Sequence, residues 1–468
     1  MIKYSAFLLC STLLLSSCAE APYSQQKNDI ANNWTQIESV TRTDTLTSTT
    51  PEFKTTQTPQ NLKNWWYSLN DETLNNFVDT ALKNSPDRAI AEAKILEARG
   101  QYRSAKSSLF PQIGLSTSGG RQDTASSPTA KPYNFYDASF DASYELDIFG
   151  ANRNTSAASK ENVSAQENNY NDVSITLIAE VVRSYIEYKG FEDQIAIAYN
   201  NLDAQQQTLK LVALLVEVGE NPQLDVDRAS NVVNSTRASI PEFERLANNA
   251  SLRLVTLTGM LPAQINSLMG TSQTGIPGTD IEPVLLAPTT ILANRPDIQS
   301  AENTLLASTS LRKAAVAEIF PSFSISGLFG IADNNFASNA NVWSIALGGA
   351  VKLLDFGRIE GQIDAAKAVE TMSFEQYRKT VLNAVTEVET ALNDFTQINK
   401  QRASLQLAYE DASKALILSQ QLFNEGEIAF LDVLDAQRSA NQAESALSSA
   451  TTNQVAALIR VYKSLGVY

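Results

Sequence analysis

Few residues in this chain are equipped for chemistry, and an absent type decides most of the reading. No histidine occurs in 468 residues, which removes Ser/His/Asp and Cys/His nucleophile systems and most zinc and iron sites. The cysteines are Cys10 and Cys18, and Cys18 closes the run Leu15-Ser16-Ser17-Cys18. Aliphatic, small, small, cysteine is the order of a bacterial lipobox, in which the thiol is acylated and the cysteine becomes the new N-terminus. Lys3 and the apolar run Tyr4 to Leu15 supply the charged and hydrophobic parts of a secretory signal. Residues 1–17 therefore read as a signal peptide and Cys18 as a lipidation site. Ala19, where aspartate would retain a lipoprotein at the inner membrane, points to the outer one. Cleavage removes Cys10, so no intramolecular disulfide is expected. The remaining chemistry belongs to carboxylates. Asp147 and Asp355 occupy equivalent places in a repeated pattern and could form a hydrolase pair. Nothing beyond the two carboxylates supports catalysis, and duplication explains both; no enzyme activity, cofactor or metal is expected. Asp225, Asp227, Asp432 and Asp435 follow two helical turns, where a solvated or capping aspartate is ordinary.

The element that these carboxylates flank is a long alternating stretch, Phe135 to Phe149. One parity reads Tyr136, Ala138, Phe140, Ala142, Tyr144, Leu146, Ile148; the other reads Asp137, Ser139, Asp141, Ser143, Glu145, Asp147. Strand side chains alternate between faces, so one face is apolar and the other acidic or hydroxyl. At about 3.3 Å per residue and a tilt of roughly 40°, such a strand crosses a bilayer's apolar band of about 25 Å. No apolar run long enough for a membrane helix follows the N-terminus. Integral membrane residence then requires a closed barrel, because backbone groups in lipid must all be paired. A net charge of −15 argues against nucleic acid and anionic membrane surfaces as partners.

The body is one unit used twice. Asn84-Ser85-Pro86-Asp87 recurs as Asn294-Arg295-Pro296-Asp297, each opening a helix with proline in the first turn. Each helix ends at a Phe-Pro, Phe110-Pro111 and Phe320-Pro321, after which helical period gives way to alternation. Strands are predicted near 113–120 and over 135–149, and again around 323–331 and 343–353. A very long helix follows each pair, over 153–218 and 358–424, with heptad-like apolar spacing at Ile175, Ile178, Val182, Tyr185 and at Val381, Val385, Val388, Leu392, Phe395. At 1.5 Å per residue each is roughly 100 Å long, enough to span a compartment. Each turns at a glycine, Gly219 and Gly426, into a return helix. Five segments follow: 1–17 signal peptide, 18–62 extended tether, 63–261 first repeat, 262–290 connector, 291–468 second repeat. Four strands cannot close a membrane barrel, which needs about eight. The chain must pool strands with its own copies, and the acidic strand face favours three copies and a water-filled, twelve-stranded barrel over two.

With these residues placed, the chain resembles the outer-membrane factor family of TolC and OprM, exit ducts of tripartite efflux and secretion systems. The likeness covers about residues 62–466. Its carriers are Arg295-Pro296-Asp297-Ile298, Phe320-Pro321-Ser322, Leu354-Asp355-Phe356-Gly357-Arg358 and, most specific, Leu431-Asp432-Val433-Leu434-Asp435-Ala436-Gln437-Arg438-Ser439. The resemblance implies a fold of mixed type, all-α plus membrane β-barrel: a homotrimer with a twelve-stranded barrel on a twelve-helix periplasmic tunnel. It implies a passive duct in the outer membrane, driven by an inner-membrane pump reached through a periplasmic adaptor. The lipobox points to the OprM-like branch, usually paired with RND-type drug or metal pumps. By the same resemblance Leu431 and Asp435 narrow the tunnel at its periplasmic end. Asp432 ranks lower because it projects elsewhere on the helix, and Asp225 and Asp227 rank lower still. Asn294, where many relatives have a second arginine, and the ending Gly466-Val467-Tyr468 depart from the family pattern. Two alternatives stand beside an efflux duct: a type I protein secretion duct, and a lipoprotein bridging envelope layers. A bridging fibre has no use for amphipathic strands.

Overall fold

The computed structural model describes residues 54–56, 62–123, 132–281, 283–334 and 337–467. Cys18, the signal peptide and most of the expected tether lie outside these residues. The elements in chain order are β1 (Lys54–Thr56), a 3-10 turn (Trp65–Leu69), α1 (Glu72–Asn84), α2 (Pro86–Ser107), β2 (Gln112–Gln122), β3 (Tyr133–Leu146), α3 (Ala151–Glu217) and α4 (Gln223–Thr258). Then come α5 (Pro262–Met269), β4 (Val284–Leu286), α6 (Pro288–Asn294), α7 (Pro296–Ala317), β5 (Ser322–Asn334), β6 (Ala337–Ala350), α8 (Arg358–Asn424) and α9 (Phe430–Ser464). Both long helices have 67 residues, so each is about 100 Å long. Among the described residues no helix is long and apolar enough to cross a membrane.

β2, β3, β5 and β6 form one antiparallel sheet in that order, with β2 and β6 at its edges. Its register lines up apolar side chains across all four strands. Leu115 faces Phe140, Phe140 faces Phe329 and Phe329 faces Trp343; the next row is Ile113, Ala142, Gly327, Ile345. Trp343 is 72% exposed and Ile345 77%, an apolar surface that a water-facing sheet would bury. The opposite face carries Asp137 and Asp141, which accept hydrogen bonds from Ser118 and Ser116 of β2.

Strand ends differ from the sequence reading. β3 stops at Leu146 rather than at Phe149, because its partner β5 begins at Ser322 and Asp147 is drawn into the helix that follows. Asp147 accepts from the backbone N–H groups of Asn152 and Arg153, and Asp355 accepts from those of Gly357 and Ile359. Each carboxylate satisfies donors that a helix start leaves open. β6 likewise stops at Ala350 rather than Leu353. The expected tether and connector also hold structure: β1 pairs in parallel with β4, and α5 and α6 flank β4 in the connector.

The main core lies midway along the helices, where both hairpins meet. Trp66, Phe77, Ile178, Tyr185, Leu254, Ile265, Leu285, Ile291 and Phe395 are buried there. Trp65 stacks on Tyr462 of α9 at 4.9 Å, which ties the segment before α1 to the last helix. Asp71 caps α1 through the Leu74 N–H and accepts from the buried Tyr185 hydroxyl at 2.7 Å, so one carboxylate fixes α1 on α3.

Candidate functional site at the hairpin tips

The two hairpins turn on the same backbone plan. α3 closes with Gly219 at φ +83° and α8 with Gly426 at φ +79°, the left-handed conformation that glycine adopts without a Cβ penalty. Glu220 N–H donates to Leu215 O, and Glu427 N–H donates to Leu422 O, each at 2.9 Å. The next helices begin differently. Asp432 accepts from the Ala429 N–H at 3.2 Å while its own N–H donates to Ala429 O at 3.0 Å. The matching Asp225 follows Pro222, which has no N–H to offer. Its carboxylate instead accepts from Asn221 at 3.3 Å and from Arg228 at 3.4 Å.

Below the turns Val212, Ala229, Val232, Phe430 and Leu434 are buried together. Phe423 packs on Phe430 with ring centres 5.8 Å apart. This cluster joins the tips of both hairpins and fixes the rotation of α9: Phe430, Val433 and Leu434 point inward while Leu431 and Asp435 point out. Four residues apart, Leu431 and Asp435 share one helical face. Of the three sequence-predicted tip residues, Asp432 serves as the cap, and Leu431 with Asp435 forms an exposed apolar–acidic pair on one turn. Asp227 is also exposed and accepts from Gln223.

Other polar and charged residues, given no functional role by the sequence reading, also cluster. Shifting Asp435 back by the 207 positions that separate α8 from α3 lands on Arg228, so the first tip carries a base where the second carries an acid. Further along α9 the contact with α3 is polar. Ser448 donates to Asp193, Gln194 exchanges hydrogen bonds with Ser445, and Asn201 donates to Glu444 at 3.4 Å. Burial is the main cause that raises the Glu444 carboxyl above its usual range, and the nearby Asp193 charge adds to it. A second charged cluster sits near the core, around a cavity of about 270 Å³ lined by Asp172, Arg295, Asp297, Glu387 and Lys463 among others. Buried Arg295 donates to Asp297, to Glu387 and to the Ser464 carbonyl. Burial first, and the Asp297 charge second, raise the Asp172 carboxyl.

The outer membrane efflux protein family profile matches residues 77–260 and 287–467, one stretch per repeat. The chain belongs to that family. It is accordingly an outer-membrane efflux channel component. Pyoverdine export outer membrane protein OpmQ of Pseudomonas putida is 27% identical over 416 residues, 86% of this chain and 87% of that protein. Cation efflux system protein CusC of Escherichia coli K12 is 28% identical over 410 residues, covering 86% of this chain and 88% of that one. The solved outer-membrane channel OprN superimposes with a TM-score of 0.85 at 27% identity, over 96% of this chain and 99% of OprN. Family membership makes the tunnel-and-barrel reading of the four strands and two hairpins the right one. It also accounts for an apolar sheet face left open in a single chain.

Proposed function

We propose that three copies of this chain close a twelve-stranded barrel over a twelve-helix tunnel, forming the passive exit duct of a tripartite efflux system. Cys18 anchors the duct by lipid in the outer membrane. A periplasmic adaptor joins it to an inner-membrane pump that supplies energy and selects cargo. The observation that carries this is the four-stranded sheet, apolar on one face and with edges β2 and β6 unpaired among the described residues, mounted on two long helices of about 100 Å. The relatives are named for cargoes as unlike as pyoverdine and cations, which fits a duct that leaves selection to its pump. Catalysis has no part in this reading: Asp147 and Asp355 are each engaged at their own helix start.

At the periplasmic end Leu431 and Asp435 of the three copies ring the axis, the leucines narrowing the opening and the carboxylates favouring cations. Asp432 supports them as a cap. Two carboxylates about 6 Å apart at an effective dielectric near 20 repel by roughly 3 kcal/mol, so the closed ring gains from a bound cation. Mass measurement and planar-bilayer recording of the purified protein test the proposal together. Trimeric mass with cation-preferring conductance is expected. A monomer that conducts, or a trimer that never does, overturns it; the second result favours an envelope-bridging role.

A further inference from the structure

We infer that neighbouring copies join edge to edge in the register that β3 and β5 already use within one chain, with Leu353 opposite Ile113 of the next copy. This rests on the trimeric barrel proposed above and adds its residue-level seam. The two hairpins of the sheet share one register: Gln112 faces Ser143, and Ser322 faces Ala350. β5 is thus β2 moved on by 210 positions, and β6 is β3 moved on by 207. Within the chain, Leu146 faces Phe323, Tyr144 faces Ile325 and Ser143 faces Ser326. Applying the same two shifts to this junction pairs Leu353, Val351 and Ala350 with the partner's Ile113, the partner's Leu115 and the partner's Ser116.

Four features of the single chain agree. The shifts set lipid-side residues against lipid-side residues, which a slip of one position would reverse. The alternation of β6 continues through Val351 and Leu353, yet its ladder stops at Ala350 because β5 begins at Ser322, after Pro321, which has no N–H to donate. Leu353 is 86% exposed, and a neighbouring β2 would extend β6 to the position where β3 ends. At the β3–β5 junction Gly330 lies so close that a Cβ would fall 2.4 Å from the Ala138 carbonyl oxygen. The matching residue on the β2 edge, Gly120, is also glycine. Finally, Phe149 stacks on Phe320 at 4.5 Å beneath the β3–β5 junction. The same shifts bring Phe356, 97% exposed in one chain, towards the partner's Phe110.

Cysteine pairs read the register directly. Residues directly opposite lie about 5 Å apart at Cα, within disulfide reach, while pairs offset by two lie about 7–8 Å apart. The full-length protein carrying Leu353→Cys and Ile113→Cys should run as disulfide-linked dimers and trimers that collapse on reduction. Leu353→Cys with Leu115→Cys should link several-fold less. The intrachain pair Leu146→Cys with Phe323→Cys should link without any change in oligomer size. Ala350→Cys with Ser116→Cys is a second seam pair that spares both apolar side chains. If the offset pair links as well as the opposite pair, or neither seam pair links in a preparation that is trimeric by mass, the register is wrong and the trimer stands. A preparation that is monomeric by mass overturns the trimer and the seam with it.

Discussion

The return helices α4 and α9 are copies of one segment that agree at one end and oppose each other towards the other. Near the core Arg253 pairs with Glu187 and Arg460 pairs with Asp394, the same contact at matched positions of the two repeats. Towards the tips the match inverts: Arg237 stands where α9 has Glu444, and Arg228 where α9 has Asp435. The long helices and the turns that end them survive duplication, down to the turn glycines, because a left-handed turn and a 67-residue span tolerate few alternatives. Side-chain charge carries no such constraint, and at these matched positions the two helices bear opposite charges.

The largest expected break between the repeats lies at their matched helix starts, Ser85 and Arg295. Arg295 is buried and holds two carboxylates and a backbone carbonyl. Arg295→Ala leaves Asp297 and Glu387 facing Asp172 without the arginine that bonds them, Lys463 being the cation left on the cavity, and should cost about 3 kcal/mol, at the low end for a broken buried pair because Glu387 is partly solvated. Ser85 has a buried hydroxyl with no hydrogen-bond partner among the described residues. Ser85→Ala should therefore change stability by less than about 0.5 kcal/mol, or raise it. Thermal unfolding in detergent, followed by circular dichroism, compares the two; equal losses would mean that the repeats do not differ here.

Next comes the difference between the tips. If Asp435 rings the axis as proposed, Asp435→Asn should weaken block by a trivalent cation about tenfold, equivalent to about 1.4 kcal/mol. Leu431→Ala should raise resting conductance. The matched changes Arg228→Gln and Leu224→Ala should leave both quantities near wild type. Single-channel recording with and without the trivalent ion decides. Block that persists unchanged in Asp435→Asn would make that residue a solvated helix position like its neighbours.

Periodicity located both 67-residue helices to within two residues, since a heptad pattern without proline leaves little freedom. It overran the ends of β3 and β6, because alternation continues through Ile148 and Leu353 while ladder partners do not. A strand end is a property of the pair, and one strand's sequence does not contain it. At the tip, the capping role of Asp432 could be read from its place after a turn and is among the roles expected of it there. The inward rotation of Phe430 and Leu434 could not, because the residues they meet, Val212 and Ala229, lie on the other hairpin. Arg228 was legible all along: aligning the repeats residue by residue sets it against Asp435.

A smaller effect distinguishes Arg237 from Glu444. Burial raises the Glu444 carboxyl above its ordinary 4.5, Asp193 adds to this, and hydrogen bonds with Asn201 and Tyr409 oppose it. The folded state therefore holds this proton more tightly than the unfolded state. Its contribution is fully present below the ordinary value and is lost as pH rises through the raised one. Glu444→Gln keeps a side chain able to hydrogen-bond Asn201 and Tyr409 and should flatten this part of the pH profile, with a slightly higher midpoint at neutral pH. Arg237→Gln, which removes a side chain that donates to Asn234 one turn away, should leave the profile unchanged. A wild-type midpoint that does not fall across this window would remove Glu444 from the account.

The smallest prediction concerns the contact that the repeats share. Arg253 and Arg460 have equally exposed side chains, 49% each, and each reaches from a return helix to a carboxylate on the long helix beside it. Pairs this open to water contribute about 0.5 kcal/mol, so Arg253→Ala and Arg460→Ala should each cost about that much and weaken further in high salt. One asymmetry remains. Glu187 also accepts from Arg183 at 2.9 Å, whereas Asp394 pairs with Arg460 alone among the ion pairs of the described residues. Removing Arg253 therefore leaves Glu187 a partner, and Arg460→Ala should be the costlier change by a few tenths of a kcal/mol. The double change should cost the sum of the two, because the sites sit on separate hairpins and share no side chain. A large excess over that sum in thermal unfolding would mean that the hairpins communicate through their bases, and the repeats could no longer be treated as independent copies with different surfaces.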